Sequence, residues 1–364
     1  MTRVLLDCRM ATWTGVGRYT HSLARALAAR DDLEIIQLVG VGETPPVPDA
    51  PARECAGNPF SPLGALAFGR AVRAERPDLV HCLHFPTPLP AGHPLVVTIH
   101  DLTPLAVPGA MPSRLRRGVY RLLIRRAIRA ADRIIVTSHF TKEALRGFYT
   151  PAADRVRVTL LAADDFCDGP LGELPEAVRS LGRYVLAFGS PKRHKRVGVL
   201  LDAWQRLLPA LGPDVSLVLV GRPSDEYRAH PLASDAHARV VWVSDVDDAQ
   251  LRALYASATA FVFPSAYEGF GLPPLEAMGL GTPVVACEAA SLPEVVGDAG
   301  ILVPPDDPAA LAGAIARLLA DPALAAELVR RGHEHCARFT AEATAEATVG
   351  VYREVVPALR GLPG

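Results

Sequence analysis

The chain has 364 residues, 49% hydrophobic and 21% charged, with a formal net charge of −1. That length exceeds one ordinary core and implies two domains of roughly 150–200 residues each, and the near-neutral charge argues against a dedicated nucleic-acid binder. No apolar run approaches ~18 residues, so no membrane span is expected, and the opening "MTRVLLDCRMATWTG" lacks the apolar core and cleavage site of a signal peptide.

In chain order, the predicted strands of the first half are "VLLD", "EIIQLVG", "DLVHCLH", "LVVTIHD", "RIIVTS" and "RVRVTLL". Those of the second are "YVLAFGS", "VSLVLVG", "RVVWVSD", "AFVFPS", "PVVACEA" and "GILVPP". Most are continuously apolar, as parallel strands covered on both faces should be. Helical patterns over Tyr19–Ala29, Arg114–Ala131, Val197–Leu208, Ala249–Ala256 and Pro308–Leu319 alternate with them. The fold class is therefore α/β, with two doubly wound parallel-sheet domains and a ligand crevice at the carboxyl ends of their strands. The predicted boundaries are 1–165 for the first domain, 166–182 for a polar, Gly- and Pro-punctuated linker, and 183–340 for the second. A last helix within 341–364, with no strand after it, would return to brace the first domain.

Six scattered cysteines without a C-x-x-C pair fit neither a disulfide framework nor a zinc site, and point to reduced thiols in the cytoplasm. The segment Arg114–Arg133 places Arg114, Arg117, Arg121, Arg125 and Arg129 at helical spacing, with Leu115, Val119 and Leu122 on another face. Such a helix is either a solvated face, the commoner case, or a surface for an anionic acceptor or a peripheral membrane contact at the inner leaflet.

The most informative stretch is "YEGFGLPPLEAMGLGTPVVA", Tyr267 to Ala286, which follows a predicted strand. Pro273 and Pro274 suit a helix's first turn, Gly279 and Gly281 its end. Backbone donors from Gly269, Phe270, Gly271 and Leu272 beside that helix start make an anion-binding nest. Two carboxylates, Glu268 and Glu276, are unfavourable beside an anion unless the ligand also offers hydroxyls, because a carboxylate accepts two hydrogen bonds from a vicinal diol. A phosphorylated sugar with at least two polyol parts satisfies both demands. Two solvated surface glutamates would not account for the glycines, the prolines and the strand-end placement together.

Three further constellations lie at strand ends. "FGSPKRHKRVGVLLDAW" sets Gly189, Ser190, Lys192, Arg193, His194, Lys195 and Arg196 on a strand-to-helix loop, where cations can neutralise a diphosphate. "TWTGVGRYTHSLARAL" opens a helix with Gly15 and Gly17, although the dinucleotide fingerprint fails at Thr20. "VVTIHDLTPL" puts His100 and Asp101 past a strand end, where a histidine can meet a substrate hydroxyl or simply be a satisfied structural group. Asp245 and Asp247 have the D-x-D spacing of a metal-held sugar nucleotide, but Asp247 and Asp248 read as helix caps, and no metal site is expected.

Taken together, "PSAYEGFGLPPLEAMGLGTPVVA" closely resembles the E-x7-E signature of family-4 retaining glycosyltransferases. "DAQLRALYASATAFVFPS", "LPEVVGDAGILVPPDD" and "VTSHFTKEAL" are similar to that family as well. The resemblance implies the GT-B architecture, two Rossmann-like lobes facing a deep cleft, and a nucleotide-diphosphate sugar as co-substrate, with no metal cofactor. It implies that Glu268 meets donor-sugar hydroxyls, Glu276 the ribose diol, and Lys195 the diphosphate. Gly269, Phe270, Gly271 and Leu272 would offer N–H groups to sugar and phosphates. Gly15 and Gly17 match the first-lobe glycine loop, and His100 the histidine facing the donor sugar. Lys195, Glu268 and His100 are the expected catalytic residues. Gly189, Ser190, Arg193 and His194 join the donor-binding set, and Asp101, His84 and Phe85 are candidate acceptor contacts. Asn58–Gly64 and His81–Thr87 are acceptor segments by position, in which His84 and Phe85 either meet the acceptor or pack beneath it.

Two departures stand out: His194 replaces the family's arginine, exchanging a permanently charged fork for a titratable ring, and Ser244 stands where glycine is common. The first-half motifs are most similar to mannosyl- and rhamnosyltransferases, which puts GDP-mannose first among donors and UDP- or dTDP-sugars next. The acceptor is a carbohydrate, glycolipid or small molecule. A nucleotide-sugar epimerase, a phosphorylase, a carbohydrate hydrolase and a non-catalytic sugar-nucleotide binder are the competing readings.

Overall fold

The computed structural model describes residues 1–85, 92–235 and 237–359. Of the predicted acceptor segment, Pro86 and Thr87 lie outside the described residues, as do 360–364 at the end of the last segment. The chain forms two compact units: Met1–Ala162 with Thr340–Gly364, and Ala163–Phe339.

The first unit is built on a seven-stranded parallel sheet. Its strands are β1 (Thr2–Asp7), β2 (Leu33–Val39), β3 (Ala52–Glu54), β4 (Leu79–Cys82), β5 (Leu95–Ile99), β6 (Arg133–Val136) and β7 (Val156–Val158), in the order β3-β2-β1-β4-β5-β6-β7. The order reverses between β1 and β4, so the loops after these two strands splay apart and leave a crevice at the carboxyl edge. The strand β3 has no counterpart among the predicted elements. Its three residues, Ala-Arg-Glu, are all exposed at the sheet edge, so no apolar run announces it. The helices Pro62–Glu75, Arg114–Ala130 and His139–Phe148 start at Ser61, Ser113 and Ser138, each of whose side chains accepts a backbone N–H of the first turn.

The last long helix, Ala341–Val355, is part of this unit. Tyr352 Oη lies 2.7 Å from His81 Nδ1, and Glu354 accepts from Arg133 at 2.6 Å and Arg157 at 2.7 Å. His81 Nε2 in turn meets Thr98 Oγ1 at 2.8 Å, so a buried polar chain ties the helix to β4 and β5.

The second unit holds a six-stranded parallel sheet. Its strands are β8 (Arg183–Phe188), β9 (Val215–Val220), β10 (Val240–Val243), β11 (Ala260–Phe263), β12 (Val284–Cys287) and β13 (Ile301–Val303), in the order β10-β9-β8-β11-β12-β13. The reversal falls between β8 and β11. Trp204, Leu200, Leu217 and Ile315 pack in the core on one face of this sheet; Tyr255, Phe261, Leu254 and Met278 pack on the other.

The segment 166–182, read from its polarity as a linker, is instead part of the second unit. Phe166 and Val178 are 8% and 1% exposed and belong to its core, and Arg252 donates to Pro170 O at 2.8 Å. Two apolar side chains in a polar run suffice to dock it, because the surrounding Gly and Pro residues only set its turns.

Candidate active site

In the second unit the two loops at the switch point are stitched together. His194 O accepts from Ala266 N–H at 2.8 Å and Ser265 Oγ at 3.2 Å, so the loop after β8 and the loop after β11 hold one geometry. Across that seam Lys195 Nζ meets Glu268 Oε1 at 2.6 Å, with side-chain exposures of 24% and 15%. The ammonium also lies 5.2 Å from the centre of the Phe263 ring, a cation–π distance. Half-buried charges of this kind keep their place only when paired, which is why the two loops present them together.

The loop that carries Glu268 is clamped from below. Ser291 Oγ, fully buried, donates to the carbonyl of Glu268 and also bonds that of Phe270. Gly271 has φ 113°, and a Cβ there would lie 2.8 Å from Leu292 Cδ2, so glycine is required on both backbone and steric grounds. The helix Leu272–Gly279 follows. Since Pro273 and Pro274 carry no N–H, the unpaired donors at its start reduce to Gly271 and Leu272, both within the nest read from sequence. Glu276, 2% exposed, lies inside this helix and accepts from Tyr255 Oη at 3.2 Å.

Gly189 follows β8 beneath the indole of Trp242; a Cβ at Gly189 would overlap that ring. Ser190 follows, its hydroxyl 3.4 Å from Lys192 N. Arg193 is exposed on the short turn Arg193–Lys195, while Arg196 adopts φ 51° and pairs with Asp306 at 2.7 Å. Asp247 caps the helix Asp248–Ser257 in a reciprocal box with Gln250, and Asp245 pairs with Arg222 at 3.0 Å. The D-x-D carboxylates are thus engaged within the fold, and Asp248 is the first helical residue rather than the cap. Among the described residues no group of three or more His, Cys, Asp or Glu side chains is placed to hold a metal ion.

In the first unit the carboxyl edge is lined by rings. Gly15 and Gly17 lie in the first turns of the helix Thr14–Ala28, which starts earlier than its apolar pattern suggested. Gly17 is required because a Cβ would overlap Ala11 O, whereas the space at Gly15 is open. His100 Nε2 bonds Leu83 O at 2.8 Å, packs edge-on against Tyr19 at 4.9 Å and stacks with His84 at 5.6 Å. Burial, and then the neighbouring His84, push His100 down to about 4; burial likewise holds His84 at about 4 despite its bond to Phe85 O. Both rings are therefore neutral at pH 7. Asp101 Oδ1 accepts from Thr103 N at 3.0 Å and shapes the turn after β5. Phe85 is a core residue, 3% exposed and 4.8 Å from Tyr120, which matches the packing alternative of its two expected roles.

Sequence reasoning passed over Ser265, Ser291 and Trp242, which support the site by bonds and contacts that no local pattern encodes. It also missed Arg9, whose guanidinium is locked to Asp7 at 2.6 and 2.7 Å at the end of β1.

Residues 13–165 match the family described as Glycosyltransferase Family 4, and residues 182–321 match Glycosyl transferases group 1. Over 94% of its length the chain is 31% identical to the D-inositol 3-phosphate glycosyltransferase of Acidothermus cellulolyticus, of which it covers 86%. The chain belongs to the family-4 glycosyltransferases. This glycosyltransferase is also 30% identical to the O-antigen chain mannosyltransferase B of Escherichia coli, over 93% of its own length and 96% of that protein. In fold it resembles the sucrose-phosphate synthase of Thermosynechococcus elongatus, with a TM-score of 0.74 at 24% identity, covering 98% of this chain and all of that one. The Anabaena HepE structure in complex with UDP and glucose gives 0.74 at 20% identity, covering 97% and 100%. The GT-B glycosyltransferase fold is thereby shown: two Rossmann-like α/β domains of seven and six parallel strands.

Proposed function

We propose that this glycosyltransferase moves a sugar, with retention at the anomeric carbon, from a nucleoside diphosphate to an acceptor hydroxyl. The observation that carries the reading is the Lys195–Glu268 pair, 2.6 Å apart, seated at the β8/β11 switch point, with the buried Glu276 on the helix that follows the Glu268 loop. The bond from the anomeric carbon to the diphosphate oxygen breaks and its electron pair stays with that oxygen. The acceptor oxygen forms the new bond on the same face, and its proton passes to the departing diphosphate. Charge grows on the leaving group, so Lys195 and the N–H groups of Gly271 and Leu272 stabilise the transition state more than the ground state. Glu268 orients donor hydroxyls and Glu276 takes the ribose diol. With Arg196 bound to Asp306, the exposed Arg193 beside His194 replaces the arginine that His194 displaces, with the exposed Lys192 next to it on the loop. His100, neutral at pH 7, offers a hydrogen bond to the donor sugar rather than a charge.

The donor is GDP-mannose first, in keeping with the mannosyltransferase relative, and a UDP- or dTDP-sugar next. The reaction proceeds without a divalent ion, and turnover abolished by EDTA and restored by one metal would remove that part of the reading. The location is cytoplasmic, peripheral at the inner membrane face. Leu115, Val119 and Leu122 are 78%, 49% and 56% exposed on the arginine-rich helix Arg114–Ala130, and no single described helix is long and apolar enough to cross a membrane. Co-sedimentation with anionic vesicles that Leu115→Asp leaves unchanged sinks the membrane contact.

The deciding experiment is thermal unfolding against GDP, UDP, ADP and dTDP and their sugar conjugates. A ligand at ~100 times its Kd adds roughly 2.7 kcal/mol to the folded state, a clear rise in Tm. One base standing out fixes the donor class. A flat response across the panel overturns the donor site and leaves a non-catalytic role.

A further inference from the structure

At the carboxyl ends of β1, β2 and β3 the first unit holds a cavity of about 240 Å³, which admits one hexose-sized ring. One wall is apolar, made by Trp13, 51% exposed, with Met10 and Pro59. From outside the lining Phe60 stacks on Trp13 at 6.1 Å with the planes 21° apart, and His84 lies 6.2 Å from it, so the indole is held in place. Large rings left in the open beside a cavity are unusual unless a ligand covers them.

The polar wall is fixed in advance. Glu43 Oε2 accepts from Gly40 N at 3.0 Å, and the carboxylate lies so close over Gly40 that a Cβ there would be 2.6 Å from it. That bond occupies one oxygen and leaves the other as an acceptor. Asn58 Oδ1 accepts from Phe60 N at 2.8 Å, so the group this amide has for a ligand is its NH2 donor. Arg9 lines the cavity too, but its Nε and Nη2 are committed to Asp7, its Nη1 donates to Gly64 O at 3.4 Å, and its side chain is 1% exposed. Among the described lining residues Arg9 and Glu43 are the charged ones. With Asp7 cancelling Arg9, the cavity presents one net negative charge.

A phosphorylated ligand would meet that charge with no unpaired cation to offset it. A neutral pyranose fits every feature: its apolar face lies on the Trp13 wall, and its hydroxyls donate to Glu43 and accept from Asn58. We infer that this cavity is the acceptor subsite and that the acceptor sugar is uncharged where it binds, unlike the inositol 3-phosphate in the name of the Acidothermus relative. The inference rests on the glycosyltransferase reading above.

The test uses the full chain with the sugar nucleotide that gives the largest thermal shift. Methyl α-mannoside, methyl α-rhamnoside and methyl β-glucoside are compared as acceptors with D-inositol 3-phosphate, and nucleoside diphosphate affinity is measured on the same samples. At least one neutral glycoside should be glycosylated with a kcat/KM tenfold or more above that of inositol 3-phosphate. Its KM should stay level between low and high salt, because no charge is being paired. Trp13→Ala and Glu43→Gln should each raise the acceptor KM at least tenfold while nucleotide affinity stays within twofold. Preference for inositol 3-phosphate, or an unchanged acceptor KM in both variants, overturns the subsite while leaving the donor site standing. Absence of nucleotide binding in the wild type overturns both.

Discussion

The two units share a backbone plan and differ in what they place on it. Each is a parallel sheet whose strand order reverses once, and each gathers its chemistry on the loops beside that reversal. At the β8/β11 edge the side chains are ionic: Lys195 with Glu268, Arg196 with Asp306. At the β1/β4/β5 edge they are mostly uncharged rings: Trp13, Tyr19, Phe60, His84 and His100, the histidines held neutral by burial. One edge suits a diphosphate whose charge changes during reaction; the other suits hydroxyl groups. The shared topology alone could not have told them apart.

The sharpest way to break this contrast is to remove one group from each edge. Lys195→Ala should lower kcat by ~10²–10³, the usual cost of deleting one preorganised group that stabilises a developing negative charge. It also leaves Glu268 without its partner, so nucleotide affinity should fall as well. His100→Ala, on the neutral edge, should cost roughly tenfold, the scale of one neutral hydrogen bond. Steady-state kinetics on both variants decide the matter. Equal losses would mean that the ionic and neutral edges do not divide the work as proposed.

The glycines sharpen the comparison through stability. Gly189 lies under Trp242 in the second unit, and Gly17 lies against Ala11 O in the first. Gly189→Ala and Gly17→Ala should each destabilise their own unit by ~1–3 kcal/mol through overpacking, or roughly 2–4 °C per kcal/mol for domains of this size. Gly15→Ala, with nothing within 4 Å of the added carbon, should stay within ~0.5 kcal/mol. Calorimetry on the three proteins tests the ranking. A Gly15 variant as unstable as the Gly17 variant would show that the helix start, not the contact, sets the cost.

Much of this was legible because parallel strands are buried on both faces and read as apolar runs; all twelve predicted runs are strands. The thirteenth, β3, is exposed and charged, and only its pairing with β2 makes it a strand. Composition misread 166–182 because burial of Phe166 and Val178 depends on partners far away in sequence. The Glu268 loop was legible in residue types, since glycine and proline act locally. Its clamp by Ser291 and the stitching of His194 O to Ser265 and Ala266 were not, because a backbone carbonyl's partner leaves no trace in the pattern. Arg9 was invisible for the same reason: its meaning comes from Asp7, from Phe68 and from the cavity that Arg9 itself lines.

The smallest effect concerns acid. In the first unit burial lowers His81 to about 3 and His84 and His100 to about 4, whereas in an unfolded chain each would titrate near ~6.5. Between those values the unfolded state binds more protons than the folded one, so stability rises with pH across the window and is lost as pH falls from ~6.5 toward 4. His335 in the second unit is lowered in the same way, by burial first. Acidification from pH 7 to pH 5 should therefore weaken the first unit more than the second. Denaturant titrations followed by hydrogen exchange, which reports each unit separately, measure the difference. His81→Gln, which keeps partners for Thr98 and Tyr352 without a titrating ring, should flatten the first unit's dependence. Equal acid sensitivity in the two units would mean that carboxylates, not the buried rings, govern the response, and the neutral edge would lose its electrostatic distinction.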